Sequence, residues 1–480
     1  MSFAKHPRTL AISRSNNAVR MRLSICCAGI FIWIFLCSVS IAEQSGDSPQ
    51  VLRSGNTARV KVVVEAKGEL QLTAESEAQP SPKKLPMKAI GNLTYDEVAV
   101  SATKSNDRVA RYYHEAKAQL SVSERPSESR LRADRRYILC DSTDDAAELY
   151  STTGALTRDE LELITVPGNS AMIDQLLPSA IASIEVSQEW THDDDLLAKL
   201  LNLHAVTAND VKSKAVAIED KLIRMEIAGN IVGSVDGVLT DIEINGKYNF
   251  DRQKKCITWF ATTIKEDRAV GPTTPGFQVE ARVRVAIDPD ADSSFAAQTV
   301  QTAPGGPAAG MQLLEFEPKD STFALTHDRR WHVLSQQPKY AVLRFVEDGQ
   351  TIAQCNLREI PVAGKAKPVT LDSFKMDAVK GLAKSQPQIV SANESTNPAG
   401  MKVFRVQIAG TVSNAAVQWI YHLAIDKKGR GVSYVFTMAA DLAEQFGAAD
   451  MEITSTLKFS ETDDTEVRMV ELRTENGVSR

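Results

Sequence analysis

The densest set of metal-binding side chains in the chain is His192, Asp193, Asp194 and Asp195. Carboxylates bunched in this way suit a hard cation such as calcium, which takes six or more oxygen ligands. The spacing is not that of a twelve-residue calcium loop, and acids ahead of LLAKLLNL (196–203) serve a helix dipole equally well. Asp288-Pro-Asp-Ala-Asp292 has acids at loop spacing but neither the glycine nor the closing glutamate. His327 and His332 flank Asp328-Arg329-Arg330-Trp331, and a His/Asp pair can move a proton near neutral pH. No nucleophile can be placed beside that pair from sequence, so an exposed polar loop is the competing reading. Gly168-Asn169-Ser170-Ala171-Met172 misses the last glycine of a nucleophile elbow, which leaves Ser170 as a helix cap.

Three cysteines follow residue 42: Cys140, Cys256 and Cys355. An odd number leaves at least one thiol free in an exported protein. A Cys140–Cys256 bridge is one reading and three separate buried thiols the other. No Cys-x-x-Cys or Cys/His cluster supports a zinc or thioredoxin-type site. No dinucleotide fingerprint, phosphate loop or arginine clamp is present, so no cofactor is implied.

The elements that would position these residues are mostly strands. ARVKVVVEAKGELQLTA (58–74), PMKAIGNLTYDEVAV, ARYYHEAKAQLSV and ADRRYILCD read as successive antiparallel strands, bounded by turn or charged residues. Thr157-Arg158-Asp159-Glu160 has capping-box spacing, Asn169-Ser170 opens a second short helix, and HDDDLLAKLLNL is a third. IEVSQEW between them reads as a strand. In DGVLTDIEINGKYNFDRQKKCITWF (236–260), Thr240, Ile242, Ile244, Tyr248 and Phe250 fall on one face, with Asp241, Glu243, Asn245, Lys247 and Asn249 on the other. The fold class is therefore α+β: a long, curved, half-barrel-like antiparallel sheet with short helices, followed by a smaller α/β sandwich. In that second part, Thr370 caps a helix from Leu371 to Ala383, Asp426 to Gly431 is a hairpin turn, DLAEQFGAAD is a helix and EITSTLKF a strand.

Length and charge bound the function. At 480 residues, more than one core is expected. Residues 1–42 hold five basic residues and no acid, so the remaining 50 Lys and Arg face 61 Asp and Glu, a net of −11. A nucleic-acid partner is disfavoured. Arg20-Met21-Arg22, the uncharged stretch Leu23–Ala42 and the small-x-small end Ser40-Ile41-Ala42 together form a secretory signal, with Met21 a candidate start. An uncleaved single-pass anchor is the rival, and membrane contact depends on it. The expected divisions are a signal segment at 1–42, a β-rich part at 43–288, a Pro/Gly/Ala-rich linker at 289–311 and an α/β part at 312–480.

WIYHLAIDKKGRGVSYVFTMAADLAEQFGAADMEITSTLKF, with FALTHDRRWHVL before it and Trp331 as an early aromatic, resembles the Mog1/PsbP-like α/β fold over residues 312–465. LTRDELELITVPGNSAMIDQLLPSAIASIEVSQEW and the strands after it resemble uncharacterised exported proteins of planctomycete-type bacteria. The first resemblance implies a binding or accessory role, and neither carries a catalytic residue set. The leading expectation is an exported, periplasmic or extracellular, non-catalytic envelope protein that binds another protein or a surface polymer. The alternatives are a carrier of an apolar ligand in the cavity of the curved sheet and, third, a hydrolase.

Overall fold

The structure, a computed structural model, describes residues 57–72, 83–103, 106–142, 147–293, 295, 310–360 and 369–460. The signal segment and residues 294 and 296–309 of the 289–311 linker lie outside these. No helix among the described residues is long and apolar enough to cross a membrane.

The first half is a 13-stranded antiparallel sheet that does not close into a barrel. Its strands are β1 (Thr57–Leu72), β2 (Lys83–Thr103), β3 (Asn106–Val122), β4 (Arg125–Arg130), β5 (Tyr137–Ser142) and β6 (Ala147–Ser151). After the two-residue β7 (Leu156–Thr157) come α1 (Arg158–Ile164), α2 (Ser170–Ile173), β8 (Glu189–Thr191) and α3 (Asp194–Leu201). Then follow β9 (Ala205–Asn209), β10 (Lys212–Ile218), β11 (Leu222–Val235), β12 (Val238–Asp251), β13 (Cys256–Arg268) and β14 (Gly276–Asp288). The order is β6-β5-β3-β2-β1-β14-β13-β12-β11-β10-β8, with β4 on β3 and β9 on β11; β7 belongs to another sheet.

The alternation of β12 sets the pattern for the whole sheet. Thr240, Ile242, Ile244, Tyr248 and Phe250 are buried, and the charged positions between them point to water. The dry face curls around α1 to α3, so that Val62, Leu93 and Val285 meet Ile164, Met172 and Leu197 in one core. Hairpins hold the register. Asp236-Gly237 places both residues at positive φ, the arrangement a two-residue turn needs to follow strand twist.

Side chains fix the N-terminal ends of α1 and α2. The capping box of α1 is formed in both directions between Thr157 and Glu160. Asn169, rather than Ser170, caps α2: its side chain accepts from Ala171 N at 3.3 Å, and Ser170 turns away to a carboxylate. IEVSQEW is not a strand over its length. A 3₁₀ turn at Ile181–Ser183 and Ser187 at positive φ leave only Glu189–Thr191 paired.

The second half contains β15 (Leu314–Phe316), β16 (Phe323–His327), β17 (Trp331–Gln337), β18 (Tyr340–Glu347), β19 (Gln350–Ile360), α4 (Leu371–Gly381) and β20 (Gln388–Thr396). It continues with β21 (Lys402–Val412), β22 (Ala415–Ile425), β23 (Gly431–Ala439), α5 (Ala443–Phe446), α6 (Ala449–Thr456) and β24 (Lys458–Phe459). Seven of these strands form an antiparallel sheet in the order β17-β18-β19-β23-β22-β21-β20. Phe374 and Ala378 of α4 pack on Phe404 and Trp419, while Trp331, Phe436 and Phe446 gather in a separate cluster with Ile453 of α6. EITSTLKF is helical except at its end, since its first residues complete α6 and only Lys458–Phe459 pair with β16.

A small mixed sheet, β24-β16-β15-β7, joins the halves, with β15 parallel to β7. Leu314 packs in the first core and Phe316 in the second. Arg132 ties the same seam, reaching Glu160 of α1 at 2.8 Å and Glu315 of β15 at 2.7 Å.

Candidate functional site

His192 and the three acids after it do not share a site. The histidine is buried, with Nε2 2.8 Å from Ser213 Oγ, whereas Asp193, Asp194 and Asp195 are exposed at the start of α3. Asp194 accepts from Asn209 Nδ2 at 2.5 Å. Asp193 holds the cap position through its carbonyl, bonded by Leu197 N, and its side chain makes no cap hydrogen bond. Among the described residues no group of three or more His, Cys, Asp or Glu is gathered as an ion would require. Cys140, Cys256 and Cys355 are all unbridged. Burial pushes the Cys256 thiol up to about 12, far from a reactive thiolate.

Two buried polar clusters have the atoms of chemistry without the space for it. Under α2, Arg111 Nε donates to Glu97 Oε2 at 2.6 Å, and Ser170 Oγ donates to the same carboxylate at 2.8 Å. Tyr95 Oη lies 2.9 Å from Ser170 Oγ, and Arg111 also donates to Asn169 Oδ1 at 2.5 Å. A serine beside a carboxylate is half of a nucleophile–base pair. The adjoining void is only about 10 Å³, enough for a single water and no substrate. Arg111 already neutralises Glu97, so the cluster works as a strut between β2, β3 and α2.

In the second half His422 Nε2 sits 2.7 Å from Asp450 Oδ2, which also accepts from Arg405 Nε at 2.6 Å. Thr454 Oγ1 lies 3.3 Å from His422 Nδ1 and receives the Tyr434 hydroxyl at 2.9 Å. The order Thr–His–Asp has the connectivity of a triad. Both His422 and Asp450 are completely buried, so this constellation pins α6 to the sheet. His327 is buried too, its Nδ1–H donating to the Asp328 carbonyl at 2.7 Å, and burial drives its pKa down to about 4. His327 is therefore the buried end of β16 and not part of an exposed polar loop.

The remaining feature is a surface. The inward face of β1 leaves the helical layer after Val64 and continues as Ala66, Gly68, Leu70 and Leu72. Register places Ala89, Met87 and Leu85 of β2 opposite Ala66, Gly68 and Leu70. Ala281, Val279 and Phe277 of β14 lie on the other side of those same three residues. Leu120 and Val122 of β3 extend the rows past Ala89 and Met87. None of these residues is fully buried, and Leu72 and Leu120 are each 37% exposed. At strand spacing and rise, four strands and six residues make a floor of about 15 by 20 Å, near 300 Å². That is as large as the biggest apolar patch of an ordinary soluble monomer. Small residues in the middle and bulky ones at the end give it relief.

The sheet's opposite face over the same stretch is charged. Lys67 meets Glu280 at 3.7 Å, Lys84 meets Glu69 at 3.2 Å, and Lys117 meets Glu115 at 2.5 Å. Period-two alternation thus continues beyond the point where the helices stop covering it. The apolar residues were visible in the sequence as strand positions. What covered them was not, because that depends on how far α1 to α3 reach across the sheet. Glu97 and Arg111 were also missed as a pair; their signal is a charge of each sign inside an apolar strand run, DEVAV and RVARYY.

No family model matches the chain, and no curated protein matches it. Among solved structures, the chain is similar to PsbP (CyanoP) from Synechocystis sp., with 10% identity, a TM-score of 0.26, and coverage of 33% of this chain and 99% of that one. It is similar to lipovitellin, whose structure describes lipid–protein interactions, with 8% identity and a TM-score of 0.26, covering 51% of this chain and 26% of that one. It is also similar to an outer membrane channel from Pseudomonas putida, with 6% identity, a TM-score of 0.15, and coverage of 82% and 98%. Scores at this level carry no argument about function.

Proposed function

We propose that this protein is a non-catalytic binding protein that takes an apolar ligand on the uncovered inner face of its first sheet. One observation carries the reading: apolar side chains run on for about 20 Å past the helical layer, partly exposed and covered among the described residues only at the border, where Arg268 lies over Phe277, while the reverse face is charged. Exposed apolar area of that extent marks a place of contact. The basic, apolar and small-residue order of residues 20–42 supports an exported protein acting in the envelope or beyond it. A Mog1/PsbP-like second half, argued from its strand, hairpin and helix order, would fit an accessory role. No cofactor enters this reading.

The test is direct. Native mass spectrometry of protein purified from its source should reveal a co-purifying apolar small molecule, and a fluorescent fatty acid should be taken up. Met87→Asp and Leu120→Asp should abolish uptake while leaving the urea midpoint unchanged, since both side chains already meet solvent. No uptake by the parent protein would overturn the proposal.

A second reading, binding of another protein, is favoured by β20. This edge strand is exposed along almost its whole length, including Ile389 at 45% and Val390 at 58%, with Met376 of α4 exposed at 67%. An unpaired edge offers a row of backbone donors and acceptors to an incoming strand. Pro substitutions at outward-facing N–H positions of β20 that leave every partner captured from envelope extracts unchanged would remove it.

A further inference from the structure

Two charges distinguish the apolar floor from a surface that would take any greasy molecule. Along β1, β2, β3, β4 and β14, from the edge of the helical layer to the open end, inward positions carry only two ionisable side chains. These are Lys83, opposite Leu72, and Arg125, opposite Val122. Both are basic and exposed, and neither has an ion-pair or hydrogen-bond partner among the described residues. On the outward face of the same strands, acids and bases are matched, as in Lys84 with Glu69 and Lys117 with Glu115. Among the described residues, the inward positions of these five strands therefore carry a surplus of two positive charges at the rim and no acid, the nearest acid being Glu124 in the turn before Arg125.

We propose that the ligand is an anionic single-chain acyl amphiphile, its chain lying on the floor between Phe277 and Leu120 and its head held at the rim by Lys83 and Arg125. This deepens the apolar-ligand reading and rests on it. The chemistry follows from the placement. A chain on the floor displaces water from Leu70, Leu85 and Met87, each buried methylene contributing roughly 0.8 kcal/mol. Register sets Lys83 and Arg125 four residues and two strands apart along the rim, so an anion there sits in a positive field that both supply, whereas an uncharged head would gain nothing from it. The nearest inward charges on the other border, Glu266 and Arg268, pair with each other at 2.6 Å, and the Arg268 guanidinium is taken up over the Phe277 ring at 4.5 Å.

The experiment compares palmitate with hexadecan-1-ol, which have the same chain and differ in charge, by displacement of a fluorescent acyl probe from the full protein. Parent protein should bind palmitate more tightly. The double variant K83E/R125E should weaken palmitate about tenfold, as two exposed charge contacts allow, and leave hexadecanol unchanged. Raised salt should weaken palmitate alone. Both substituted residues are exposed, and an unaltered urea midpoint confirms that the variant folds. If palmitate and hexadecanol bind equally and the double variant is indistinguishable from the parent, the head assignment is wrong and the apolar-ligand reading stands. If neither compound binds, both fall. Binding to vesicles of anionic phospholipid without uptake of dispersed palmitate would also overturn it, since the floor would then be a membrane contact.

Discussion

Acidification should unfold this protein by a mechanism that can be assigned to individual histidines. Burial holds His192 and His327 at about 4 in the folded state, against an ordinary 6.5. Their charged forms are therefore disfavoured on folding, the unfolded chain binds more protons, and the stabilisation present above pH 6.5 is lost as pH falls towards 4. Between pH 7 and 4.5 each histidine removes about 2 kcal/mol, together about 4–5 kcal/mol. Asp174 works the other way. Burial raises it to about 6, so its folding penalty at neutral pH is relieved on acidification, returning about 2 kcal/mol. The histidines win by about 3 kcal/mol, and His332 and His422, both lowered by burial, pull in the same direction. Urea denaturation at pH 7 and 4.5, followed by tryptophan fluorescence, reads the difference. His192→Gln should shrink the pH-dependent loss by about 2 kcal/mol, whatever it costs at pH 7. A variant whose stability falls with pH as steeply as the parent's would refute the reasoning.

Other perturbations follow from the buried clusters. Arg111→Met leaves Glu97 buried without its cation and should cost about 3–5 kcal/mol, with the Glu97→Leu/Arg111→Met double variant recovering part of it, measured by urea denaturation. Asp450→Asn should cost roughly 3 kcal/mol by stranding Arg405, and should loosen α6 enough to accelerate amide exchange at Ile453. Thr157→Ala opens the α1 capping box and should lower stability by about 1 kcal/mol without altering ligand uptake.

Strand periodicity made the first sheet legible before any coordinates. The five apolar positions of β12 are buried as their spacing requires, and the charged run after Asp251 is the turn into β13. Capping chemistry was equally readable at Thr157 and Thr370. Asn169 was not, because two adjacent residues could each cap α2 and only the buried Glu97, distant in sequence, claims the serine. EITSTLKF misled because its β-branched residues favour a strand, while packing of Ile453 among Trp331 and Phe446 keeps them helical. His192 beside three acids was ambiguous for a related reason: just past β8, its imidazole is buried against Ser213 while the carboxylates after it stay exposed. The apolar floor was hidden altogether, since alternation marks which residues share a face and says nothing about what lies over it.

The three-residue strand β15 contributes to both cores, with Leu314 packed in one and Phe316 in the other. It lies downstream of the Pro/Gly-rich stretch, yet it pairs with β7 upstream. A protease that severs the chain between residues 296 and 309 would thus produce two fragments that stay clasped, co-eluting on a sizing column and parting only in denaturant.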